Sequence, residues 1–175
     1  MKRLFIGLPI QSETALQLVN RWSIDPLLNL NRMVWTNPSN WHVTLFFLGA
    51  TPESQVADLE QMIDVAFNGV QPFTGRLSGV GVFPEKRKPR VFWMGLEDLQ
   101  PLHSVYALLS DLLQKNGFLF DPKPLRPHLT LARIKSLSHC SSLESLLHEF
   151  QSFQFGTRDI NRVTLFEKWL LKVYF

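Results

Sequence analysis

The feature that most constrains this chain is a short motif that occurs twice. His42-Val43-Thr44 lies in the first half and His128-Leu129-Thr130 in the second, each within a run of apolar residues. Because alternate side chains of a β-strand lie on the same face, each motif places an imidazole and a hydroxyl side by side, with apolar residues on the opposite face. Two such strands at matching places predict a pair of histidines that face each other across a cleft.

The similarity extends beyond the two motifs, which are 86 residues apart (128 minus 42). Each half reads as a strand, a helix, the His strand, a second helix and a closing apolar run. The matched segments are Leu4–Leu8 with Val91–Leu96, Glu53–Phe67 with Ser142–Phe150, and Leu77–Phe83 with Ile160–Phe166. A repeat of this length is typical of a duplicated half-domain rather than a solenoid. We expect one domain over 1–175, with internal halves of about 1–85 and 86–175.

The predicted fold class is α+β. We expect a bilobal, pseudo-two-fold arrangement in which two antiparallel sheets line a central groove and the helices lie outside. Ser12 is a predicted N-cap of the first helix, and Gly117 a predicted stop for a helix over Leu102–Leu113. Short additional strands are predicted at Met33–Trp35 and Phe118–Phe120.

Composition indicates a globular protein, because 45% of the 175 residues are hydrophobic and 19% are charged. The net charge of +3 and the sequence pI near 9.2 favour polyanionic partners. The densest basic run, residues 86–90, is either a phosphate-binding segment or a solvated loop. Cys140 is the single cysteine, so an intrachain disulfide is excluded. We expect a monomeric, cytoplasmic protein without a membrane segment.

Two opposed imidazoles suit paired acid–base catalysis, in which one accepts a proton and the other donates one. A phosphodiester needs this arrangement, because water must lose a proton while the departing alkoxide gains one. The neighbouring Thr hydroxyls can stabilise charge on the non-bridging oxygens. The motif pair therefore predicts phosphodiester chemistry with His42, His128, Thr44 and Thr130 as catalytic residues.

Other interpretations fit less well. A structural role is common for a single His on a buried strand, but it does not explain two at equivalent positions. Metal binding usually shows a His-x-His or His-Glu-x-x-His spacing, and neither strand contains Asp or Glu. We predict no metal ligands and no cofactor. A serine hydrolase is disfavoured because no Gly-x-Ser-x-Gly elbow occurs.

Nearly the whole chain resembles the two-histidine phosphoesterases, and within them the RNA 2',3'-cyclic phosphodiesterases, also called LigT-like or 2'-5' RNA ligase proteins. The resemblance rests on 3–8, 42–49, 89–93 and especially Arg126-Pro127-His128-Leu129-Thr130-Leu131-Ala132-Arg133. It implies metal-independent hydrolysis of RNA 2',3'-cyclic phosphate ends to 2'-phosphates, with reversible 2'-5' ligation as a further candidate activity. It also implies that His42 is the proton donor and His128 the proton acceptor.

The resemblance further implies that Arg133 contacts phosphate. Simple alternation would place Arg133 on the face opposite His128, so the strand must bend or end between them. Phe47 holds the equivalent place in the first half, where it is either a base-stacking or a core residue. Arg126, just before the second motif, is a third candidate substrate-binding residue.

Two alternatives in function stay open at this point. One is a non-catalytic RNA-end-binding module that uses the same cleft, and the other is a phosphodiesterase for small cyclic nucleotides. The expected partners are RNA with a 2',3'-cyclic phosphate end, with tRNA fragments as one candidate, or a cyclic nucleotide.

Overall fold

The computed structural model describes residues 1–85, 88–121, 124–167 and 170–174. Within these ranges the chain forms nine strands and five α-helices. The strands are β1 Lys2–Pro9, β2 Arg32–Trp35, β3 His42–Thr51, β4 Phe73–Phe83, β5 Val91–Glu97, β6 His128–Ser136, β7 Gln154–Ile160, β8 Val163–Glu167 and β9 Leu170–Tyr174. The helices are α1 Glu13–Ser23, α2 Pro26–Asn29, α3 Val56–Phe67, α4 Gln100–Lys115 and α5 Cys140–Phe150.

All strand pairs are antiparallel, and the strand order is β7-β4-β5-β6-β3-β1-β8-β9, with β2 added beside β6. The α+β class is confirmed. The two predicted sheets are joined into one, because β3 and β6 meet at the centre through the pair Val43–Leu129. The sheet thus consists of two lobes that touch where the two His motifs lie.

The lobes do not coincide with the two halves of the sequence. The β4 strand belongs to the first half but pairs with β5 of the second, whereas β8 belongs to the second half and pairs with β1 of the first. Each lobe therefore contains a strand from the other half. This exchange of strands between the halves was not predicted, because strand order cannot be deduced from the order of elements along the chain.

The pseudo-two-fold is visible in the residue register. Thr44 pairs with Gly7 on β1, and Thr130 pairs with Trp93 on β5. Each residue of the second pair thus lies 86 positions after its counterpart in the first pair. A hydrogen bond from the Ile10 amide to the Trp41 carbonyl (3.0 Å) has its counterpart in Leu96 to Pro127 (3.2 Å). The two His strands are held by equivalent backbone contacts.

Helices cover the apolar side of the sheet. Ser12 caps α1 as predicted, since its hydroxyl accepts a hydrogen bond from the Ala15 amide at 3.2 Å. The helix buries Ala15, Val19 and Trp22, and the Trp22 ring packs edge-on against Phe92 of β5. None of the helices in the described ranges is long and apolar enough to cross a membrane.

Two sequence predictions need correction. Phe118–Phe120 is not a strand: Phe118 is buried and Leu119 exposed, but the segment is irregular and none of the described strands pairs with it. The run Ile160–Phe166 is divided between β7 and β8 by a turn at 161–162. Gly117 does follow the end of α4, where its φ of 75° requires the left-handed region.

Candidate active site

The two His motifs lie side by side at the junction of the lobes. Val43 pairs with Leu129, so the residues on either side of this pair oppose each other in antiparallel order. His42 therefore lies opposite Thr130, and Thr44 opposite His128. Directly opposed residues have Cβ atoms about 4.5–5.5 Å apart. Each hydroxyl thus lies beside the imidazole of its own motif along the strand and opposite the imidazole of the other motif across the strand pair.

Both imidazoles are held in the same way. His42 Nδ1 lies 2.7 Å from the carbonyl oxygen of Asn40, and His128 Nδ1 lies 2.7 Å from that of Arg126. A carbonyl oxygen only accepts hydrogen bonds, so Nδ1 must carry a proton in each ring. Nε2 is then the nitrogen that can accept or release a proton in both residues. The backbone thus fixes the tautomer and leaves Nε2 for proton transfer.

His42 lies against two aromatic rings. Its ring centroid is 4.8 Å from Phe5 and 4.9 Å from Phe166, and these two rings stack on each other at 4.7 Å. Burial is the main cause that lowers the pKa of His42, and the nearby positive charge of His128 lowers it further. The hydrogen bond to Asn40 acts in the opposite direction and does not outweigh them.

His128 has a corresponding aromatic pair. Phe83 lies 4.9 Å and Trp93 6.3 Å from its ring, and these two stack at 5.1 Å. Phe83 and Phe166 are equivalent, because each closes its lobe through the strand exchanged between halves. The second ring of each aromatic pair, Phe5 beside His42 and Trp93 beside His128, comes from a different register position. Phe5 pairs with Phe166, whereas Trp93 pairs with Gly81 and its indole covers that glycine.

A β-bulge moves two further predicted residues onto the face of the histidines. On β3, Thr44 and Phe46 pair with consecutive residues of β1, so Leu45 between them has no register partner. On β6, Leu131 is skipped in the same way between Thr130 and Ala132, which pair with consecutive residues of β5. Alternation therefore shifts by one residue in each strand. Phe47 therefore lies exposed on the same face as His42, and Arg133 on the same face as His128. The first seven residues of the two strands have the same pattern of buried and exposed positions. This resolves the conflict between simple alternation and a role for Arg133.

Phe47 is not a core residue, since it is 50% exposed. Arg126 is exposed as well, and its backbone carbonyl rather than its side chain contacts His128. Of the basic run at 86–90, Lys86 and Arg87 lie outside the described residues. Lys88 and Arg90 are exposed.

The aromatic neighbours Phe5, Phe83 and Phe166 were missed from the sequence. Phe166 and Phe83 belong to the closing apolar runs, but nothing in those runs shows which strand they pair with. The hydrogen-bonding carbonyls of Asn40 and Arg126 carry no side-chain signal either. Their equal spacing, two residues before each His, was the only available sign.

Over the ranges that the structure describes, no group of three or more His, Cys, Asp or Glu residues is placed to hold a metal ion. Cys140 is exposed at the start of α5, away from the two motifs in sequence.

Comparison with protein families gives a match over residues 8–93 to the LigT-like phosphoesterase model. A Geobacillus stearothermophilus RNA 2',3'-cyclic phosphodiesterase is 37% identical over 130 residues, which are 74% of this chain and 41% of that protein. The chain thus matches less than half of that relative's length. An Aquifex aeolicus protein of the same name is 32% identical over 141 residues, 79% of this chain and 74% of the relative.

Solved structures with the same fold include a Thermus thermophilus protein, with a TM-score of 0.74 and 24% identity over 99% of this chain and 95% of that one. Escherichia coli LigT in complex with 3'-AMP superposes with a TM-score of 0.71 and 20% identity, covering 99% of this chain and 94% of that one. At these identities the structural likeness bears on the fold alone.

Proposed function

The chain belongs to the LigT-like phosphoesterase family, and from this premise we propose that it hydrolyses the 2',3'-cyclic phosphate ends of RNA to 2'-phosphomonoesters. The relatives that carry this activity in their names support the substrate class. The observation that carries the proposal is the paired arrangement of His42 and His128, each with Nδ1 held by a backbone carbonyl and Nε2 left to exchange a proton.

The reaction requires one imidazole to be neutral and the other protonated. His128 Nε2 takes a proton from water as the water oxygen bonds to phosphorus. The bond from phosphorus to the 3' oxygen breaks, and His42 Nε2 gives its proton to that oxygen. The product carries a 2'-phosphate and a free 3' hydroxyl. Afterwards His128 is protonated and His42 neutral, and exchange with solvent restores the starting state.

The non-bridging oxygens carry the charge that must be stabilised. In this mechanism Thr44 and Thr130 donate hydrogen bonds to them. The position of each Thr opposite the histidine of the other motif supports this role. The exposed guanidinium of Arg133 adds a charged donor on the same face. Phe47 offers an exposed ring for the base, and Arg126 a second positive charge beside His128.

This chemistry uses no metal ion or cofactor, because proton transfer and charge stabilisation are both assigned to side chains. The physiological substrate is RNA with a cyclic end, such as a cleaved tRNA fragment, and cyclic mononucleotides are minimal substrates. We propose that the protein acts as a cytoplasmic monomer and that hydrolysis, rather than 2'-5' ligation, is its main reaction.

A turnover assay in the presence of a chelator tests the proposal. The protein is incubated with a short RNA that ends in a 2',3'-cyclic phosphate, and the products are separated to distinguish 2'- from 3'-phosphate. We expect a 2'-phosphate product with EDTA present. Binding without turnover would instead favour an RNA-end-binding module, and turnover of mononucleotides alone would favour a cyclic nucleotide phosphodiesterase.

A further inference from the structure

A row of side chains leads away from the reacting centre along β1 and β3. Phe5 contacts His42 and pairs in register with Phe47, and the guanidinium carbon of Arg3 lies 5.6 Å above the centre of the Phe47 ring. Arg3 and Phe47 are both exposed. The row therefore runs from His42 through Phe5 and Phe47 to Arg3 on one face of the sheet.

Arg3 differs from the neighbouring basic residue. Lys2 points to the other face, where Glu53 and Glu167 neutralise it, each at 3.4 Å. Within the described part of the chain Arg3 has no acidic partner, and its contact is the aromatic ring. A guanidinium that stacks on an aromatic ring keeps its N–H donors free at the edge, where a phosphate can bind.

The other lobe lacks this row. Arg133 occupies the place equivalent to Phe47, and Val91 the place equivalent to Phe5. The residue that corresponds to Arg3 by the 86-residue offset is Pro89. At these equivalent positions, all of which the structure describes, only the first lobe has an aromatic ring followed by a cation, so the two sides of the otherwise pseudo-symmetric site differ.

We propose that Arg3 binds the phosphate on the 5' side of the nucleotide that carries the cyclic end. This rests on the proposed function and adds a subsite to it. With the cyclic phosphate between the histidines, the base of the terminal nucleotide lies on Phe47, three residues or about 10 Å along the strand from Thr44. The chain then leaves past Arg3, which meets the linkage to the preceding nucleotide.

The test compares three substrates with wild type and Arg3→Ala. These are adenosine 2',3'-cyclic phosphate, the dinucleotide that adds one adenosine through a 5' phosphate, and the same dinucleotide with a neutral methylphosphonate linkage. Wild type should prefer the charged dinucleotide, and Arg3→Ala should raise its KM about 5-fold, near the upper end for an exposed ion pair. The KM values for the mononucleotide and for the neutral dinucleotide should change much less in this variant.

Salt dependence gives a second readout. One phosphate contact contributes about 0.7 to the slope of log affinity against log salt for single strands, so Arg3→Ala should flatten that slope by about this amount. Arg3→Lys should keep the slope while losing part of the affinity, because Lys retains charge but lacks the planar fork. Arg21→Ala, an exposed arginine on α1, is the matched control.

Equal loss on all three substrates would overturn the inference, since Arg3 would then act only through Phe47 or the fold. A wild type without preference for the charged dinucleotide over the neutral one would overturn it as well. These outcomes are distinct from failure of the proposed function, which would appear as absent turnover of every cyclic substrate by wild type.

Discussion

The ring of Phe166 lies 4.9 Å from the imidazole of His42, and it arrives there on a strand that pairs with β1 from the far end of the chain. Together with Phe5 it buries the imidazole, and this burial lowers the pKa of His42 below its usual value near 6.5. A histidine with a lowered pKa is mostly neutral in the free protein at neutral pH. An anionic phosphodiester in the site favours the charged form.

The first prediction concerns pH dependence. The pH profile of kcat/KM reports the free enzyme. The lower of the two pKa values of the pair sets the acid-side limb of this profile. Because the pKa of His42 is lowered, this limb of kcat/KM should lie below about pH 6.5. The corresponding limb of kcat should lie at higher pH, because bound phosphate raises the pKa of His42. Initial rates between pH 4.5 and 9 measure both.

An acid-side limb of kcat/KM above about pH 6.5 would contradict the lowered pKa of His42. The donor and acceptor roles need a separate test, because the profile has the same shape whichever of the two imidazoles carries the proton. A substrate with a good leaving group provides an independent check. It should rescue a variant that lacks the proton donor far more than one that lacks the acceptor.

The second prediction tests the aromatic pair itself. Phe166→Leu should raise the pKa of His42 toward its ordinary value, because a smaller side chain leaves the imidazole better hydrated. Titration of the His42 ring signals by NMR measures the shift. Phe83→Leu is the matched control, since Phe83 contacts His128. It should leave the His42 titration nearly unchanged.

The third prediction concerns the motif residues. His42→Asn and His128→Asn should each lower kcat by at least ~10²-fold, the lower end for general acid–base catalysis. Thr44→Val and Thr130→Val should lower it less, because each removes one hydrogen bond and keeps the shape. Thermal unfolding of every variant checks that the fold is intact. Turnover by the double His variant would contradict the mechanism.

The fourth prediction separates Arg133 from the basic loop. Arg133→Ala should impair the turnover of mononucleotides and of longer RNA alike, because Arg133 lies on the same face as the histidines. Neutralising the exposed Lys88 and Arg90 should weaken the binding of longer RNA and leave the turnover of mononucleotides nearly unchanged. The comparison of KM on both substrates distinguishes them. Equal loss of mononucleotide turnover in the two variants would contradict this division.

The fifth prediction tests the support of His128. A Cβ at Gly81 would lie 2.2 Å from a Trp93 ring carbon, so Gly81→Ala must displace the indole. We expect a loss of about 1–3 kcal/mol in the free energy of unfolding, as for overpacked cores, and lower activity. Adding Trp93→Phe should recover part of the stability, because the smaller ring leaves room. A purely additive double variant would show that the two residues do not interact.

The sequence predicted the parts of the site that repeat. His42, Thr44, His128 and Thr130 follow the period of two in a strand, so their shared face could be deduced from that period alone. Phe47 and Arg133 could not be placed in this way. Their orientation depends on bulges at Leu45 and Leu131, and a bulge is a property of the pairing between strands rather than of one segment.

The assignment of strands to the two lobes could not be predicted from the sequence, for a similar reason. The apolar runs at Leu77–Phe83 and Ile160–Phe166 were recognised, but their partners depend on which sheet edge is open when the chain folds back. The segment Phe118–Phe120 shows the converse error. Its pattern of burial alternates as a strand does, yet it has no neighbouring strand among the described residues with which to form a ladder.

The exchange of β4 and β8 between lobes also governs when the candidate site can form during synthesis. Phe5 and Phe166 are paired but 161 residues apart in sequence (166 minus 5), so the wall beside His42 is a contact of very high sequence separation. A nascent chain that has emerged only as far as the second His motif holds both histidines but not the strand that encloses the first. The candidate site is therefore complete only after β8 has left the ribosome and joined β1.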